Sequence, residues 1–352
     1  MIEIPGFIDL HTHTRYPDAD KFPYNDIDES AINGGFSTLL AMPNSEIPID
    51  SIKNLKIAQE IDKKLKTKVH RVGALTKDLD GRELVNYKEF IENGITIFSD
   101  DGKSLIDDNL ADEAFKKISA LGGGAIFQHC EKSCHSRPGD IAPPNADNDL
   151  IPINNDEELE VLARDLNLSE KYGTRYHAQH LSTYESVQLI KKAKQEGLPV
   201  TAEVTPHHIL LNNENLDTNN GLFKMYPPIR TEKDREGLVE GLQSGVIDVI
   251  ATDHAPHKLE TKTVPFKDAN RGVVGLESAF PLIYSSNIFE LDQILKFLVT
   301  NPLTILEELG YEIPKIVNTW KKSKSVFITK SKYKNSLFEN ENIEIQRVLS
   351  NV

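Results

Sequence analysis

Phe7-Ile8-Asp9-Leu10-His11-Thr12-His13-Thr14-Arg15 is the stretch on which the reading of this chain turns. Its first four residues are mostly apolar and read as a buried strand, which runs into two histidines one residue apart. Side chains alternate faces along a strand, so His11 and His13 point the same way. Two neutral imidazoles converging on one point suit a borderline metal such as zinc. Alone, the pair reads equally well as a polar edge strand with two unrelated histidines. The choice depends on whether other segments also end in ligand-type residues.

Further strands are expected at Ser37–Pro43, His70–Leu75, Ile95–Ser99, Ala125–His129, Tyr176–His180, Val200–Thr205 and Asp248–Thr252. Between them lie helical patterns at Ile52–Leu65, Glu83–Glu92, Ala111–Leu121, Glu157–Tyr172, Glu185–Glu196 and Glu232–Leu242, with apolar positions recurring at three and four residues. Glycines such as Gly94, Gly122, Gly173 and Gly197 follow several of them, where a C-terminal cap would fall. Eight strands alternating with helices give an α/β fold, either a (β/α)8 TIM barrel or a doubly wound open sheet.

The strand ends favour the barrel. Met42-Pro43-Asn44, Ser99-Asp100-Asp101-Gly102, Gln128-His129-Cys130-Glu131, Gln179-His180-Leu181-Ser182 and Thr252-Asp253-His254-Ala255-Pro256-His257 all place chemically capable residues where a strand stops. An open sheet would concentrate them at one switch point, whereas the mouth of a closed barrel collects them from the whole chain. His11, His13, Asp101, His129, His180 and Asp253 together have the composition of a hydrolytic metal site, in which a carboxylate can bridge two ions roughly 3.5–4 Å apart.

Composition sets the bounds. With 352 residues and 39% hydrophobic content the chain can bury one large core. A formal net charge of -14 argues against nucleic acid or an anionic membrane as the partner. No apolar run approaches the ~20 residues of a membrane span. Cys130 and Cys134 cannot build a disulfide framework, so a cytoplasmic location is expected. After Gly275, helical segments at Leu276–Ser285, Leu291–Val299 and Pro302–Leu309 would complete the ring or cap the barrel. Lys315–Val352 is rich in Lys, Asn and Glu, with β-like pieces at Ser325–Thr329 and Ile343–Val348. The expected division is a barrel over 1–310 and an appendage over 311–352, either a small sheet or a loosely held tail.

Pro5-Gly6-Phe7-Ile8-Asp9-Leu10-His11-Thr12-His13, Ala41-Met42-Pro43-Asn44, Phe98-Ser99-Asp100-Asp101-Gly102, His129-Cys130-Glu131, His180-Leu181-Ser182-Thr183, Ala202-Glu203-Val204-Thr205-Pro206-His207-His208 and Ala251-Thr252-Asp253-His254-Ala255-Pro256-His257 resemble the signatures of class I dihydroorotases, in the amidohydrolase superfamily. The resemblance runs in order from Pro5 to about Leu309. It implies reversible cyclisation of N-carbamoyl-L-aspartate to L-dihydroorotate, in pyrimidine biosynthesis, at a site with two zinc ions. His11, His13 and Asp253 would hold one ion, His129 and His180 the other. Many relatives bridge the ions with a carboxylated lysine on strand four. Ile95–Ser99 has none, and Asp101 matches the aspartate variant, with Asp100 as its rival. A metal-bound hydroxide would attack the ring amide while Asp253 carries the proton to the leaving nitrogen.

By the same resemblance Arg15 and Asn44 would hold the substrate carboxylate, His257 would add a donor, and Arg271-Gly272 would contribute backbone contacts. A planar guanidinium suits a carboxylate, while Asn44 after Met-Pro equally suits an Asx-turn. His254 is expected to orient Asp253, and His207 and His208 to pack beneath the site. His70, His135 and His177 are expected to be ordinary structural or surface histidines. The chain departs from the family in three ways. The flanking β-sandwich is expected to be reduced or absent, which would leave stability dependent on a homodimer contact or another partner. Tyr16-Pro17-Asp18 replaces the usual Pro-Gly after the arginine. Tyr226 stands where the family has a substrate-contacting asparagine. Two other readings compete: a hydantoinase or allantoinase, and an inactive barrel scaffolding aspartate transcarbamoylase. Arg15 favours a small acidic substrate over the first, and retention of all six ligands argues against the second.

Overall fold

The computed structural model describes residues 1–16, 23–132, 139–143, 145, 149–214 and 216–349. Pro17, Asp18, Cys134 and His135 lie outside the described residues.

In chain order the elements are β1 (Ile2–Pro5), β2 (Phe7–Thr12), α1 (Tyr24–Gly34), β3 (Phe36–Ala41), α2 (Ile52–Asp62), β4 (Lys68–Arg71), β5 (Gly73–Ala74), α3 (Tyr87–Glu92) and β6 (Ile97–Ser99). There follow α4 (Asp108–Ala120), β7 (Ala125–Gln128), α5 (Asn155–Tyr172), β8 (Arg175–Ala178), α6 (Tyr184–Gln195), β9 (Val200–Val204), α7 (Pro206–Leu210), α8 (Glu232–Gln243) and β10 (Val249–Ile250). The last elements are α9 (Ala279–Ser285), α10 (Leu291–Leu295), α11 (Asn301–Glu308), β11 (Val317–Val326) and β12 (Asn342–Val348).

Strands β2, β3 and β4 pair in parallel, as do β5 to β10 in sequence. Strands β4 and β5 are one barrel strand interrupted at Val72, whose N–H still donates to Ala41 O at 3.0 Å. Closure falls between the first and last strands, where Thr12 and His254 form a parallel bridge and His13 N–H donates to His254 O at 2.9 Å. Asp9 reinforces the seam. Its carboxylate accepts from Thr252 N–H (2.8 Å), Thr252 Oγ1 (2.6 Å) and Thr12 Oγ1 (2.5 Å). The result is the expected (β/α)8 barrel.

The interior is filled by Ile8, Leu10, Leu40, Met42, Val72, Ile97, Phe127, Val249 and Ala251, drawn from strands all around the cylinder. Leu306, Leu309 and Tyr311 plug its lower end. Phe7, on the opposite face of β2, belongs to the larger cluster between strands and helices. Strict alternation from Phe7 and Asp9 would send His11 and His13 outward. The β2–β3 register slips between Asp9 and Thr12, so an extra residue turns both histidines inward with Ile8 and Leu10.

Two elements differ from the sequence expectation. Helix α1 has no apolar periodicity because it packs through small and polar residues: Asp26, Ser30, Ala31 and Gly34 are buried with Ile27. A Cβ on Gly34 would stand 2.2 Å from Leu276 O. The strand expected at Ser325–Thr329 instead spans Val317–Val326. Its lysines disguise it, while Trp320 is fully buried and Phe327 beyond it turns into a cluster with Leu282, Phe338 and Ile343. Strand β11 lies between β1 and β12 in a three-stranded antiparallel sheet that draws on both ends of the chain.

Candidate active site

At the C-terminal ends of the barrel strands, His11, His13, Asp101, His180 and Asp253 converge. One group of ligand atoms comes from His11, Asp101 and His180, a second from His11, His13 and Asp253, each within 4.8 Å of one another. Asp101 joins them. Its Oδ1 lies 3.2 Å from His11 Nε2 and 3.5 Å from His180 Nε2, while its Oδ2 lies 3.4 Å from His13 Nε2. Asp253 Oδ1 is 2.9 Å from His13 Nε2 and 3.6 Å from His11 Nε2. His129 stands one step outward, with Nδ1 at 2.9 Å from His180 Nε2 and 3.9 Å from Asp101 Oδ1.

Asp100 faces elsewhere. Its carboxylate accepts from Leu75 N–H, Thr76 N–H and Thr76 Oγ1, with both N–H bonds at 3.0 Å or less. Asn44 accepts at Oδ1 from His13 Nδ1 (2.8 Å) and donates to Asp101 O (2.9 Å), which turns His13 Nε2 toward the centre. The neighbouring backbone is shaped to match: Gly102 has φ +81°, and a Cβ there would meet Asn44 Nδ2 at 2.9 Å.

The sequence motif around Thr205 includes Glu203, but the sequence assigns it no role. It is fully buried on β9 and accepts from His11 Nδ1 at 2.6 Å, from His177 Nε2 at 3.1 Å and from His180 N–H at 3.2 Å. A carboxylate on Nδ1 fixes the tautomer that leaves Nε2 free to ligate. The available signal was its register, two residues before Thr205 on a strand otherwise apolar and small. His177, expected to be ordinary, is Glu203's second partner and stacks on Phe127 at 4.3 Å.

Electrostatics favour positive charge at the centre. Burial opposes charge on His11, but Asp101 and Glu203 raise its pKa well above the usual histidine value. Burial likewise pushes Asp101 and Asp253 up, and the facing histidines overcome it, holding both below the ordinary carboxylate range. His11 Nε2, Asp101 Oδ1, His129 Nε2 and His180 Nδ1 are buried without hydrogen-bond partners. Nitrogen and carboxylate donors clustered this way fit a divalent metal.

Above the ligands lies a cavity of about 360 Å³, lined by His13, Asn44, Asp101, His129, His180, Asp253, Tyr226 and, at its rim, Arg15, His257, Asn270, Arg271 and Gly272. Every residue expected to touch substrate therefore borders it. Arg15 has a left-handed backbone (φ 60°) and is flanked by Thr14 and Tyr16, both held by Arg71. Among the described residues no carboxylate pairs with its guanidinium. His257 Nε2 donates to Arg271 O at 2.6 Å, which commits that proton to the loop. Burial and the nearby Arg15 bring its pKa down to about 3, so the ring is neutral.

His254 does not bond Asp253 directly. Its Nδ1 accepts from Gly275 and Leu276 N–H, fixing the strand end from behind. His208 spans Thr205 Oγ1 and Pro227 O, and His207 is buried beside it. Cys130 is buried and free, with Sγ 3.2 Å from the Tyr176 hydroxyl.

Residues 1–186 match the family described as dihydro-orotase-like. The dihydroorotase of Elusimicrobium minutum is 39% identical over 314 residues, covering 87% of this chain and 72% of that protein. That of Staphylococcus aureus is 38% identical over 306 residues, covering 85% and 72%. Among solved structures, the L-hydantoinase of Arthrobacter aurescens superposes with a TM-score of 0.81 at 21% identity, covering 99% of this chain and 83% of that one. The dihydroorotase of Saccharomyces cerevisiae in complex with 5-fluoroorotic acid gives 0.77 at 17%, covering 99% of each. The chain belongs to the dihydroorotase family and is a hydrolase of cyclic amide C–N bonds.

Proposed function

We propose that this cavity interconverts L-dihydroorotate and N-carbamoyl-L-aspartate, the step of pyrimidine biosynthesis, in the cytoplasm and with zinc as the metal. His11, His13 and Asp253 would hold one ion, His129 and His180 a second, and Asp101 would bridge them. Bound there, two divalent cations would polarise a carbonyl and acidify a shared water. The observation that carries the reading is Asp101, whose carboxylate lies within 3.5 Å of histidines from both donor sets, His11 and His13 on one side and His180 on the other.

The chain's own residues supply the rest. Asp253 borders both cavity and donors, and the facing histidines keep it ionised, the form that can accept a proton. In ring opening, water adds to the ring carbonyl carbon, the C–N bond breaks, and Asp253 moves the proton from that water to the departing nitrogen. In ring closure the same carboxylate takes the proton from the ureido nitrogen, and water leaves. Arg15, free of a carboxylate partner among the described residues, would take the substrate carboxylate, and Gly272 would offer backbone at the rim. Gly272 has φ +99°, and a Cβ there would stand 2.6 Å from Ala255 Cβ, so only glycine lets the loop come this close.

Arg15 favours a small acid over the bulky apolar substrates of a hydantoinase. The test is a coupled assay on metal-analysed protein with both substrates. Ring opening of dihydroorotate that scales with metal content is expected. Turnover confined to hydantoins or dihydrouracil would overturn the reading. A homodimer, or an association with aspartate transcarbamoylase, would be read from the mass of the assembly in solution.

A further inference from the structure

Lys262 is a fully buried lysine that the chemistry above does not use. Its Nζ donates to Lys224 O at 2.8 Å and to Asn270 O at 2.7 Å. Those carbonyls belong to two different segments, one leading into Tyr226 and the other into Arg271 and Gly272. Around this pin the segments are stitched further: Gly272 N–H donates to Lys224 O at 3.0 Å, and Asn270 N–H to Thr261 O at 3.0 Å.

The residues carried by the pinned segments form one wall of the cavity. The Arg271 guanidinium lies 4.2 Å from the Tyr226 ring centre, a cation–π contact. Both side chains also end on one carbonyl, with the Tyr226 hydroxyl at 2.8 Å and Arg271 Nη2 at 2.9 Å from Gly139 O. The Tyr226 ring in turn stands 6.2 Å from that of His129.

Among the described residues no carboxylate pairs with Lys262, and its charged neighbours oppose it. Burial, with Lys224 and Arg271 close by, brings its pKa down to about 7. Lys224 is itself engaged, by Asp140 at 2.7 Å and by Lys267 O at 2.6 Å. A buried ammonium without a counter-ion is a costly way to fill space, and a hydrophobic side chain would fill it more cheaply. What an apolar residue would lack is donors for two carbonyls on separate loops.

We infer that Lys262 is a positioning residue of the substrate pocket: by clasping the carbonyls of Lys224 and Asn270 it holds the Tyr226–Arg271 wall against the cavity. This rests on the cavity being the ring-opening site. The wall acts on bound substrate and not on the proton transfer, so losing the pin raises KM and leaves kcat nearly unchanged.

The experiment is Lys262→Met in the metal-loaded protein, read by dihydroorotate kinetics and by hydrogen–deuterium exchange at the Gly272 amide. KM rises about tenfold with kcat within about twofold, and Gly272 exchanges about tenfold faster while barrel-strand amides keep their protection. A folded variant with KM and Gly272 exchange both unchanged overturns the inference, as does a parallel fall in kcat, Tm and strand protection. A wild-type protein with no ring-opening activity sinks the reading of the cavity alone, because Gly272 exchange still reports on the pin.

Should the variant not fold, wild-type KM between about pH 6 and 9 decides the matter. Lys262 faces Lys224 and Arg271, with Asp140 and Asp268 around Lys224, and its charge is felt by His207 and His257. Those histidines have pKa values lowered by burial to about 4 and about 3, so neither titrates in this window. The neutral amine keeps two N–H groups but donates them more weakly than the ammonium, so KM rises modestly as the charge is lost above about pH 7, and a flat profile overturns the inference.

Discussion

The two ends of the barrel both hold cavities, and the larger one is at the wrong end for chemistry. The lower cavity, about 760 Å³, is lined by residues including Asp62, Lys66, His70, Arg71, Tyr311 and Ile316. The mouth encloses only about 360 Å³. At the lower end the buried polar groups are matched. Arg71 makes a two-pronged ion pair with Asp62 (2.7 and 3.0 Å), and His70 bonds Glu312 O. At the mouth, His11 Nε2 and Asp101 Oδ1 face one another at 3.2 Å without a hydrogen-bond partner, and His129 Nδ1 and His180 Nε2 crowd together at 2.9 Å. Converging unsatisfied donors identify a site; volume does not.

Substitutions at the two ends should therefore separate cleanly. Asp253→Asn is the most damaging: kcat for ring opening falls by about 10³, while metal analysis still finds the ions. Unaltered turnover would remove Asp253 as the proton carrier. Next, Arg15→Ala raises KM for dihydroorotate about 100-fold, the loss of a charge-assisted contact. Dihydrouracil, which lacks the carboxylate, should be affected only slightly; equal losses on both would take Arg15 out of the pocket. Glu203→Gln weakens metal binding by about 10-fold or more, measured by competition with a chelator, because His11 loses the partner that orients it. If affinity is unchanged, the Glu203–His11 contact is packing only.

The smallest effect belongs to the lower end. Burial and Lys68 bring the His70 pKa down to about 4 from a usual 6.5, so the unfolded chain takes up its proton first. Stability is thus full above about pH 6.5 and is lost as pH falls toward 4. His70→Gln should flatten that part of the acid-unfolding profile and leave kcat alone. A change in kcat would mean the two ends are coupled.

The strands and the metal-ligand types could be read from the chain because both follow local rules. Short β-branched runs recur along the chain, and five of them run into a His or Asp whose chemistry is plain: His11 and His13, Asp101, His129, His180 and Asp253. Other features depend on partners distant in sequence. Glu203 looks like one polar residue in a strand until His11, 192 positions away, is placed against it. The slip between Asp9 and Thr12, which aims both first histidines inward, arises from pairing with β3 and has no signature within β2. Helix α1 hides because its buried face is Asp26, Ser30, Ala31 and Gly34, and Asp26 finds its partners at Ser331 and Lys332. Lys262 reads as a solvated loop residue until two carbonyls enclose it.

Arg15, His180 and Asp253 all hold left-handed backbone, at φ 60°, 29° and 47°. Conformations of this kind cost about 1–3 kcal/mol each outside glycine. Glycine would relieve them and would also delete an imidazole, a carboxylate or a guanidinium that the proposed reaction uses. Comfort of the main chain and capability of the side chain are thus set against each other at the same three positions, so selection for a sturdier molecule and selection for a faster one pull this rim in opposite directions.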